Sequence, residues 1–359
     1  MSRFLAERYA SLVAYTPGEQ PTDMKYIKLN TNESPFPPSK GVLDAINTDA
    51  VSALRLYPDP ECGILKEKIA KQYGFAKENI FVSNGSDDIL NFSFMAFCDG
   101  KKCGVAFPEI SYGFYKVYAD LYGVDAKMLP LAEDFSVSAE EYCNIGRTVV
   151  IANPNAPTGI ALSVREVERI VASNPDHVVV IDEAYVDFGA ESCIELVHQY
   201  DNLLVVRTYS KSFSMAGARL GFAIGGRELI ADLDKIKYST NPYNINRLTL
   251  LAGAAAMDDY DYYMENCRKI VANRAYTTEA LTSLGFEVLP SKANFVFARS
   301  KKIGGEALYT KLKKRGILVR HFKTEKIKDF NRITIGTLGE MKSLVAAVEA
   351  ILGEAAGEE

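Results

Sequence analysis

A lysine and an aspartate each follow an apolar run that is typical of a buried strand. Lys211 comes shortly after the run at 203–206, and Asp182 directly follows the run at 177–181. A buried carboxylate is costly unless a cation pairs with it. A lysine removed from water has a lowered pKa and can attack a carbonyl to form a Schiff base. The pair therefore indicates chemistry on a carbonyl compound.

A second group of polar residues could hold a phosphate near that lysine. A helix is predicted to begin after the apolar run at 80–82, and its first turn holds Gly85, Ser86 and Asp87. The free N–H groups and the dipole of such a turn favour an anion. The hydroxyl and guanidinium groups close to Lys211 in sequence are those of Thr208, Ser210 and Arg219. An arginine can bind phosphate through two hydrogen bonds.

These features together match pyridoxal 5′-phosphate. This cofactor needs an amine for its aldehyde, a carboxylate for its ring nitrogen and an anion site for its phosphate. Lys211 and Asp182 would supply the first two groups. A carboxylate at the ring nitrogen keeps the ring protonated, so that the ring can accept electrons from a carbanion at the substrate Cα. The residues therefore predict a cofactor-dependent enzyme.

The elements that would position these residues follow an alternating pattern. Short apolar runs alternate with helix-like stretches, and the runs lie at 80–82, 103–107, 126–129, 148–152, 177–181, 203–206 and 220–224. This alternation predicts an α/β fold whose large domain has a mostly parallel, seven-stranded sheet covered by helices. Ligands of such sheets bind beyond the carboxyl ends of the strands, where Lys211 and Asp182 are expected.

After about residue 257 short strands mix with helices, which predicts a smaller α+β domain. We expect an N-terminal arm and the start of the small domain at 1–45, a large cofactor-binding domain at 46–256 and a small C-terminal domain at 257–359. The helical segment at 65–73 and the arm could join the small domain.

Composition excludes several other classes of protein. The 359 residues carry a formal net charge of −5 with no long basic stripe, so nucleic acid is not an expected partner. No run of about 18 apolar residues predicts a membrane span, and the first residues lack the apolar region of a secretory signal. The six cysteines and three histidines show no metal-ligand spacing. We expect a cytoplasmic protein with reduced cysteines and no metal.

Several motifs resemble the fold-type-I pyridoxal phosphate enzymes, and specifically the class I and II aminotransferases. The resemblance covers nearly the whole chain and is carried by LNTNESPFPPS (29–39), YPDP (57–60), GSDD (85–88), DEAYVDF (182–188), YSKSFSMAGARLGF (209–222), GILVR (316–320) and RITIGT (332–337). The arm, the short length and GILVR are most similar to the histidinol-phosphate aminotransferase subgroup.

The resemblance implies a role for each matching residue around the cofactor. Lys211 matches the lysine of the Schiff base, Asp182 the partner of the ring nitrogen, and Tyr185 the phenol that hydrogen-bonds the cofactor O3′. Tyr112 matches the aromatic residue that stacks on the ring. The residues that match the phosphate site, with Asp87 of the same turn, are Gly85, Ser86, Asp87, Thr208, Ser210 and Arg219.

The resemblance also implies substrate and subunit contacts. Tyr57 matches a tyrosine that reaches the phosphate in the neighbouring subunit, so a homodimer is expected. Arg332 matches the arginine that binds the substrate's anionic group. Arg320 and Tyr15 resemble residues that hold the phosphate of histidinol phosphate. Asn32 lies in the arm that closes over the substrate.

The sequence departs from the family at Ala156. The family often has an asparagine before Pro-Thr-Gly, and its side chain hydrogen-bonds O3′. Here either Asn155 takes its place or Tyr185 makes the contact alone.

The implied reaction is ping-pong transamination in histidine biosynthesis. L-Histidinol phosphate and 2-oxoglutarate give imidazole-acetol phosphate and L-glutamate, with Lys211 as general base and acid. An aromatic amino acid aminotransferase and a threonine-phosphate decarboxylase are alternatives that would use the same cofactor residues. A dinucleotide-dependent oxidoreductase is disfavoured, since no G-x-G-x-x-G follows an early strand.

Overall fold

Three β-sheets flanked by helices form the chain in a computed structural model that describes residues 3–99 and 103–357. The strands are β1 (Ile27–Lys28), β2 (Ile80–Ser83), β3 (Val105–Pro108), β4 (Ala126–Leu129), β5 (Thr148–Ala152), β6 (Val179–Asp182), β7 (Leu203–Thr208), β8 (Gly221–Gly225), β9 (Phe286–Val288), β10 (Phe295–Ser300), β11 (Ile317–Leu318), β12 (Arg320–His321) and β13 (Phe330–Thr334). The helices are α1 (Lys40–Ala45), α2 (Thr48–Ser52), α3 (Gly63–Tyr73), α4 (Gly85–Phe97), α5 (Phe114–Tyr122), α6 (Val164–Ser173), α7 (Arg227–Thr240), α8 (Arg247–Asp258), α9 (Tyr260–Ser283), α10 (Gly305–Lys314) and α11 (Leu338–Gly357).

The largest sheet has seven strands in the order β2-β8-β7-β6-β5-β3-β4. β8 runs antiparallel to both of its neighbours, whereas the pairs from β7 to β4 are parallel. Each of its strands overlaps one of the apolar runs. The predicted α/β fold with a mostly parallel, seven-stranded sheet is therefore confirmed.

Both faces of this sheet are covered. Ile181 and Val205 belong to one core cluster, while Val180 and Val206 belong to another on the opposite face. Successive side chains of a strand point to opposite faces, which is why continuous apolar runs, rather than alternating ones, form the strands here. Helix α3 packs in the first cluster through Leu65 and Ile69, and so with the large sheet and not with the smaller domain.

The C-terminal part forms a four-stranded antiparallel sheet in the order β12-β13-β10-β9. Helices α9, α10 and α11 cover it, and their apolar side chains form a separate core with those of β10 and β13. The arm is attached to this part, because β1 pairs in parallel with β11 and Leu29 enters the same core.

The division of the chain at residues 45 and 256 stays a prediction, which the separate cores support. Helix α9 spans the two parts: Tyr263 lies in the core of the large sheet, whereas Cys267 and Ile270 lie in the core of the smaller one. No helix in the described ranges is both long and apolar enough to cross a bilayer.

Candidate functional site

A cavity of about 440 Å³ lies beyond the carboxyl ends of β5, β6 and β7. Parallel pairing places these ends side by side, with Asp182 opposite both Ala152 and Val206. The predicted site residues in the cavity wall are Ser86, Asp87, Tyr112, Asp182, Tyr185, Thr208, Ser210, Lys211 and Arg219. Residues that are far apart in sequence therefore meet at one edge of the sheet.

A second cavity of about 420 Å³ adjoins the first. The two share Thr31, Tyr112, Ala156, Tyr185 and Lys211 in their walls. The predicted substrate residues in the wall of the second cavity are Tyr15, Asn32, Arg320 and Arg332. Lys211 thus stands at the junction between a cavity with the predicted cofactor residues and one with the predicted substrate residues.

Asp182, the last residue of β6, is almost completely buried. One carboxylate oxygen accepts a hydrogen bond from the Tyr115 phenol at 2.9 Å, and the other accepts one from the Ala184 N–H at 3.2 Å. Burial raises the pKa of Asp182 to about 6, although both hydrogen bonds oppose the shift. The carboxylate is therefore prepared to pair with a cation in the cavity.

Lys211 follows β7 by three residues. Its Nζ donates a hydrogen bond to the Thr31 carbonyl oxygen at 3.1 Å and lies 5.8 Å from the centre of the Tyr185 ring. Thr31 belongs to the arm, so the arm contacts the proposed reactive amine directly. No carboxylate forms an ion pair with this amine in the described part of the chain.

Tyr185 is held by the arm and by β10. Its hydroxyl accepts a hydrogen bond from the Asn32 side-chain amide at 3.0 Å, and its ring packs edge-on against Phe295 at 5.2 Å. Thr334 donates to the carbonyl oxygen of the same Asn32 amide at 3.0 Å. The Asn32 side chain is therefore fixed, and its backbone adopts the left-handed conformation with φ of 56°.

The predicted phosphate site lies at the first turn of α4. Arg219 donates to the Asp87 carboxylate at 2.8 Å, and the Tyr112 hydroxyl donates to the other Asp87 oxygen at 2.7 Å. A side chain at Gly85 would lie 2.8 Å from the Arg219 guanidinium, and one at Gly221 would lie 2.5 Å from the Ser86 nitrogen. Only glycine leaves this space open, so backbone N–H groups and a guanidinium can surround an anion.

Arg332 lies in the wall of the second cavity. One of its terminal nitrogens donates to the Asn30 carbonyl oxygen at 3.0 Å, and the guanidinium lies 5.4 Å from the centre of the Phe295 ring and 5.8 Å from that of Phe322. Its Nε is buried without a hydrogen-bond partner in the described structure. Burial lowers the pKa of Arg332. The side chain therefore retains unused donor capacity for an anionic ligand.

The mouth of this cavity is closed partly by the arm. Arg320 donates to the carbonyl oxygens of Thr16 and Pro17, both at 3.4 Å. The next arm residue toward the N-terminus, Tyr15, packs against the Phe114 ring at 4.3 Å. The arm therefore connects the C-terminal part to helix α5 across the opening.

Three of the predicted cofactor residues, Gly85, Asn155 and Tyr57, do not line either cavity. Asn155 is buried, and its amide donates to the Ile110 carbonyl oxygen at 3.0 Å while its oxygen accepts from Ser111 at 2.9 Å. The neighbouring Ala156 lines both cavities. Tyr57 is 78% exposed and stacks on Tyr243 at 4.6 Å. Within one subunit the side chains of Asn155 and Tyr57 are separate from the site.

Sequence reasoning missed Tyr115 and the buried ions behind the strand ends. Arg207 pairs with Glu183 at 3.2 Å and also contacts Asp187, and all three are buried or nearly so. Glu183 and Arg207 directly adjoin Asp182 and Thr208 in sequence, so their pairing ties together the two strand ends that carry the site. The sequence signal for this ion pair was a charged residue at the end of each apolar run, Glu183 after β6 and Arg207 near the end of β7. For Tyr115 the signal was a second tyrosine three residues after Tyr112.

The arrangement fits pyridoxal phosphate. A buried carboxylate, an amine and an anion site that glycines keep open lie around one cavity. No group of three or more histidine, cysteine, aspartate or glutamate side chains in residues 3–99 and 103–357 is arranged to hold a metal ion. The side chains around the cavity are therefore those that a phosphate, a protonated ring nitrogen and an aldehyde require.

Comparison with known proteins gives consistent matches. The model of the family described as aminotransferase class I and II matches residues 24–348. The chain is 47% identical to a histidinol-phosphate aminotransferase of Clostridium acetobutylicum, over 97% of this chain and 99% of the relative. It is 49% identical to the enzyme of the same name from Brachyspira hyodysenteriae, over 98% and 99%. The crystal structure of the Sinorhizobium meliloti histidinol-phosphate aminotransferase in complex with pyridoxal 5′-phosphate has a TM-score of 0.84 at 25% identity and covers 92% of each chain.

Proposed function

The chain belongs to the class I and II aminotransferase family, and from this premise we propose that it transfers the amino group of L-histidinol phosphate to 2-oxoglutarate. The products are imidazole-acetol phosphate and L-glutamate, and the reaction is a step of histidine biosynthesis. The observation that carries this proposal is the position of Lys211, at the junction of a cavity that fits the cofactor and a cavity that contains two arginines.

Each side chain around the first cavity has its own role in the proposed reaction. Pyridoxal phosphate, when bound, supplies an electron sink for the carbanion at the substrate Cα. Asp182 holds the proton on the ring nitrogen. With the cofactor bound, Lys211 would move one proton between the substrate Cα and the cofactor C4′ within each half-reaction, first as general base and then as general acid. Arg219 and the first turn of α4 hold the phosphate, while Tyr185 and Asn32 provide a hydrogen-bonded polar edge beside Lys211.

The second cavity supports a substrate that carries an anion at some distance from its amine. Arg332 and Arg320 can bind a phosphate monoester in one half-reaction and a dicarboxylate in the other, because a guanidinium fork matches both anions. The mostly apolar contacts of Arg332 with Phe295 and Phe322 keep water away from the guanidinium and strengthen its interaction with an anion.

A substrate panel tests the proposed specificity. The purified enzyme is assayed with histidinol phosphate, phenylalanine and threonine phosphate at equal concentration, and release of the oxo product and of carbon dioxide is followed. We expect histidinol phosphate to give the highest kcat/KM and no carbon dioxide. A higher kcat/KM with phenylalanine would indicate an aromatic aminotransferase, and carbon dioxide from threonine phosphate would indicate the decarboxylase.

Replacing Arg332 by alanine should weaken both half-reactions. Loss of a hydrogen bond to a charged group costs about 1.5–3 kcal/mol, so we expect kcat/KM to fall at least about tenfold for histidinol phosphate and for 2-oxoglutarate alike. Single-turnover measurements of each half-reaction provide the test, with R299A as the control, because Arg299 pairs with Glu287 at the surface. If only one half-reaction slows, the two substrates do not share this arginine.

We also propose that the active enzyme is a cytoplasmic homodimer in which Tyr57 reaches the neighbouring site. The exposure of Tyr57 and its separation from both cavities of its own subunit support this arrangement. The free cysteines are those expected of a protein in a reducing compartment.

Mixing two defective enzymes tests the shared site. K211A subunits lack the amine but supply an intact Tyr57, and Y57A subunits have the reverse defect. After reassortment, each mixed dimer would contain one complete site, so activity should recover to about a quarter of the wild-type value for random pairing of two subunits. Mixtures that stay as inactive as their parents, although mass spectrometry shows mixed dimers, would contradict a role for Tyr57 in the neighbouring site.

A further inference from the structure

The Asp182 carboxylate accepts a hydrogen bond from the phenol of Tyr115, a residue that has no role in the reaction proposed above. The Tyr115 hydroxyl lies 2.9 Å from the Asp182 carboxylate, and the Tyr115 side chain is completely buried. Tyr115 lies in α5, 67 residues away in sequence. Most buried polar groups are hydrogen-bonded, and the acceptor for Tyr115 is the carboxylate that is proposed to pair with the cofactor ring nitrogen.

The surroundings of Tyr115 leave its ring little freedom to turn away. It packs edge-on against Tyr112 at 5.7 Å and against Phe107 at 5.9 Å. Tyr112 is the residue predicted to stack on the cofactor, and the Tyr115 N–H donates to its carbonyl oxygen at 3.1 Å, so the turn that leads into α5 carries both the stacking ring and the donor to Asp182. With the Ala184 N–H on the other oxygen, both oxygens of the carboxylate have a fixed partner.

The charges around Asp182 make this donor important. Burial disfavours the ionised carboxylate, and the acidic side chains of Asp87 on α4 and of Glu183, directly after β6, disfavour it further. The hydrogen bonds from Tyr115 and Ala184 oppose these effects. A neutral carboxyl group would not stabilise a protonated ring nitrogen.

We propose that Tyr115 is a positioning residue of the proposed transamination, which keeps Asp182 ionised and in one orientation toward the cofactor ring nitrogen by donating its phenol proton to the carboxylate. The inference depends on the proposed cofactor chemistry and adds a residue to it. Tyr115 itself lines neither cavity, and its hydroxyl donates to Asp182 in the wall of the first. Its effect must therefore pass through Asp182.

Retention of the cofactor by the Tyr115→Phe enzyme tests this role without any substrate. Without the donor, Asp182 takes up a proton at a higher pH, so the loss must be larger in acid. We expect the dissociation constant of pyridoxal phosphate, measured by equilibrium dialysis of the full-length protein, to rise about tenfold at pH 6 and much less at pH 8. The visible absorbance of the bound cofactor should change over the same pH range.

Two further variants separate this role from a structural one. Y142F removes a buried phenol that has no hydrogen-bond partner among residues 3–99 and 103–357, so it should leave cofactor retention unchanged at both pH values. In the D182N background, Tyr115→Phe should have almost no additional effect on the dissociation constant, because the carboxylate through which it acts is gone. Thermal unfolding of each variant checks that it folds.

The outcomes are distinct. An equal loss at pH 6 and pH 8, or an undiminished loss in the D182N background, would show that Tyr115 only packs and would overturn the proposal. A wild-type enzyme that retains the cofactor but does not use histidinol phosphate would contradict the proposed substrate and leave this test valid. A wild-type chain that binds no pyridoxal phosphate would contradict both.

Discussion

The Lys211→Ala enzyme is expected to lose at least about 10⁴-fold of its transamination rate, because one substitution removes both the amine that binds the aldehyde and the general base and acid. The position of the amine explains why no neighbour can replace it. The side-chain amines of Lys28 and Lys66 are held by Glu33 and Asp234, and neither lysine lines the cavity of Lys211.

The measurement combines activity with the visible spectrum of the purified enzyme. We expect K211A to fold and to bind pyridoxal phosphate through the phosphate site, but to lose the wild-type visible absorbance. K116A serves as the matched control, since Lys116 is exposed and pairs with Asp120 four residues later. More than about a hundredth of the wild-type rate in K211A would exceed what positioning by the remaining groups is expected to supply, and would exclude Lys211 as the proton-transferring group.

The parts of the fold that follow from local sequence could be predicted. Six of the seven strands of the large sheet are buried along their whole length, and burial on both faces requires largely apolar runs, whereas the edge strand β4 is partly exposed. The site followed from one further rule, that neighbouring parallel strands end at the same edge. Lys211, Asp182 and Arg219 therefore meet in one cavity, although Asp182 ends β6 and Lys211 follows β7.

The contacts that could not be predicted are those between distant segments. The Tyr115 phenol and the Asp182 carboxylate look like ordinary core and strand-end residues until the packing of α5 on the sheet brings them together. The same holds for the arm, since nothing within residues 27–28 specifies pairing with Ile317 and Leu318. Local pattern gives the element, but tertiary packing selects its partner.

Asn155 lies one residue before Ala156, the position of this turn that lines the cavities. The turn after β5 places Ala156 in the cavity wall, whereas the Asn155 amide donates to the Ile110 carbonyl oxygen after β3 and to the Thr158 hydroxyl of its own loop. The amide that donates to the Tyr185 hydroxyl is that of Asn32 in the arm. The role of Asn155 in cofactor binding stays a prediction, and Asn32 is the asparagine whose amide lies beside the phenol that is expected to contact O3′.

Replacing Asp182 by asparagine is expected to lower the transamination rate about 10²–10³-fold, because an amide cannot hold a proton on the ring nitrogen by charge. The substitution keeps the shape of the side chain, and an amide oxygen can still accept one of the two hydrogen bonds from Tyr115 and Ala184. The loss should therefore appear in kcat of both half-reactions, with the fold preserved. Steady-state kinetics, together with the cofactor content of the purified variant, provides the measurement.

Asp182→Asn should also raise the free energy of unfolding of the cofactor-free protein relative to the wild type, but only above the pH range in which Asp182 ionises. Burial raises the pKa of Asp182 to about 6 in the folded chain, whereas an unfolded aspartate titrates near about 3.9. Between these values the folded state binds more protons than the unfolded state, so the stability of the wild type falls as the pH rises. The total effect is about 3 kcal/mol, at about 1.4 kcal/mol for each unit of pKa shift.

Asparagine does not titrate, so its lost hydrogen bond costs the same at every pH. The difference in unfolding free energy between D182N and wild type should therefore move in favour of D182N by about 2 kcal/mol between pH 4 and pH 7, since part of the total effect falls below pH 4. Urea unfolding of the cofactor-free proteins at several pH values tests this, and Asp258→Asn, at an exposed ion pair with Lys68, serves as the control. A constant difference across that range would show that Asp182 is not held ionised at a cost to the fold. A rising difference would mean that the protein maintains, at the expense of its own stability, the charge that its cofactor needs.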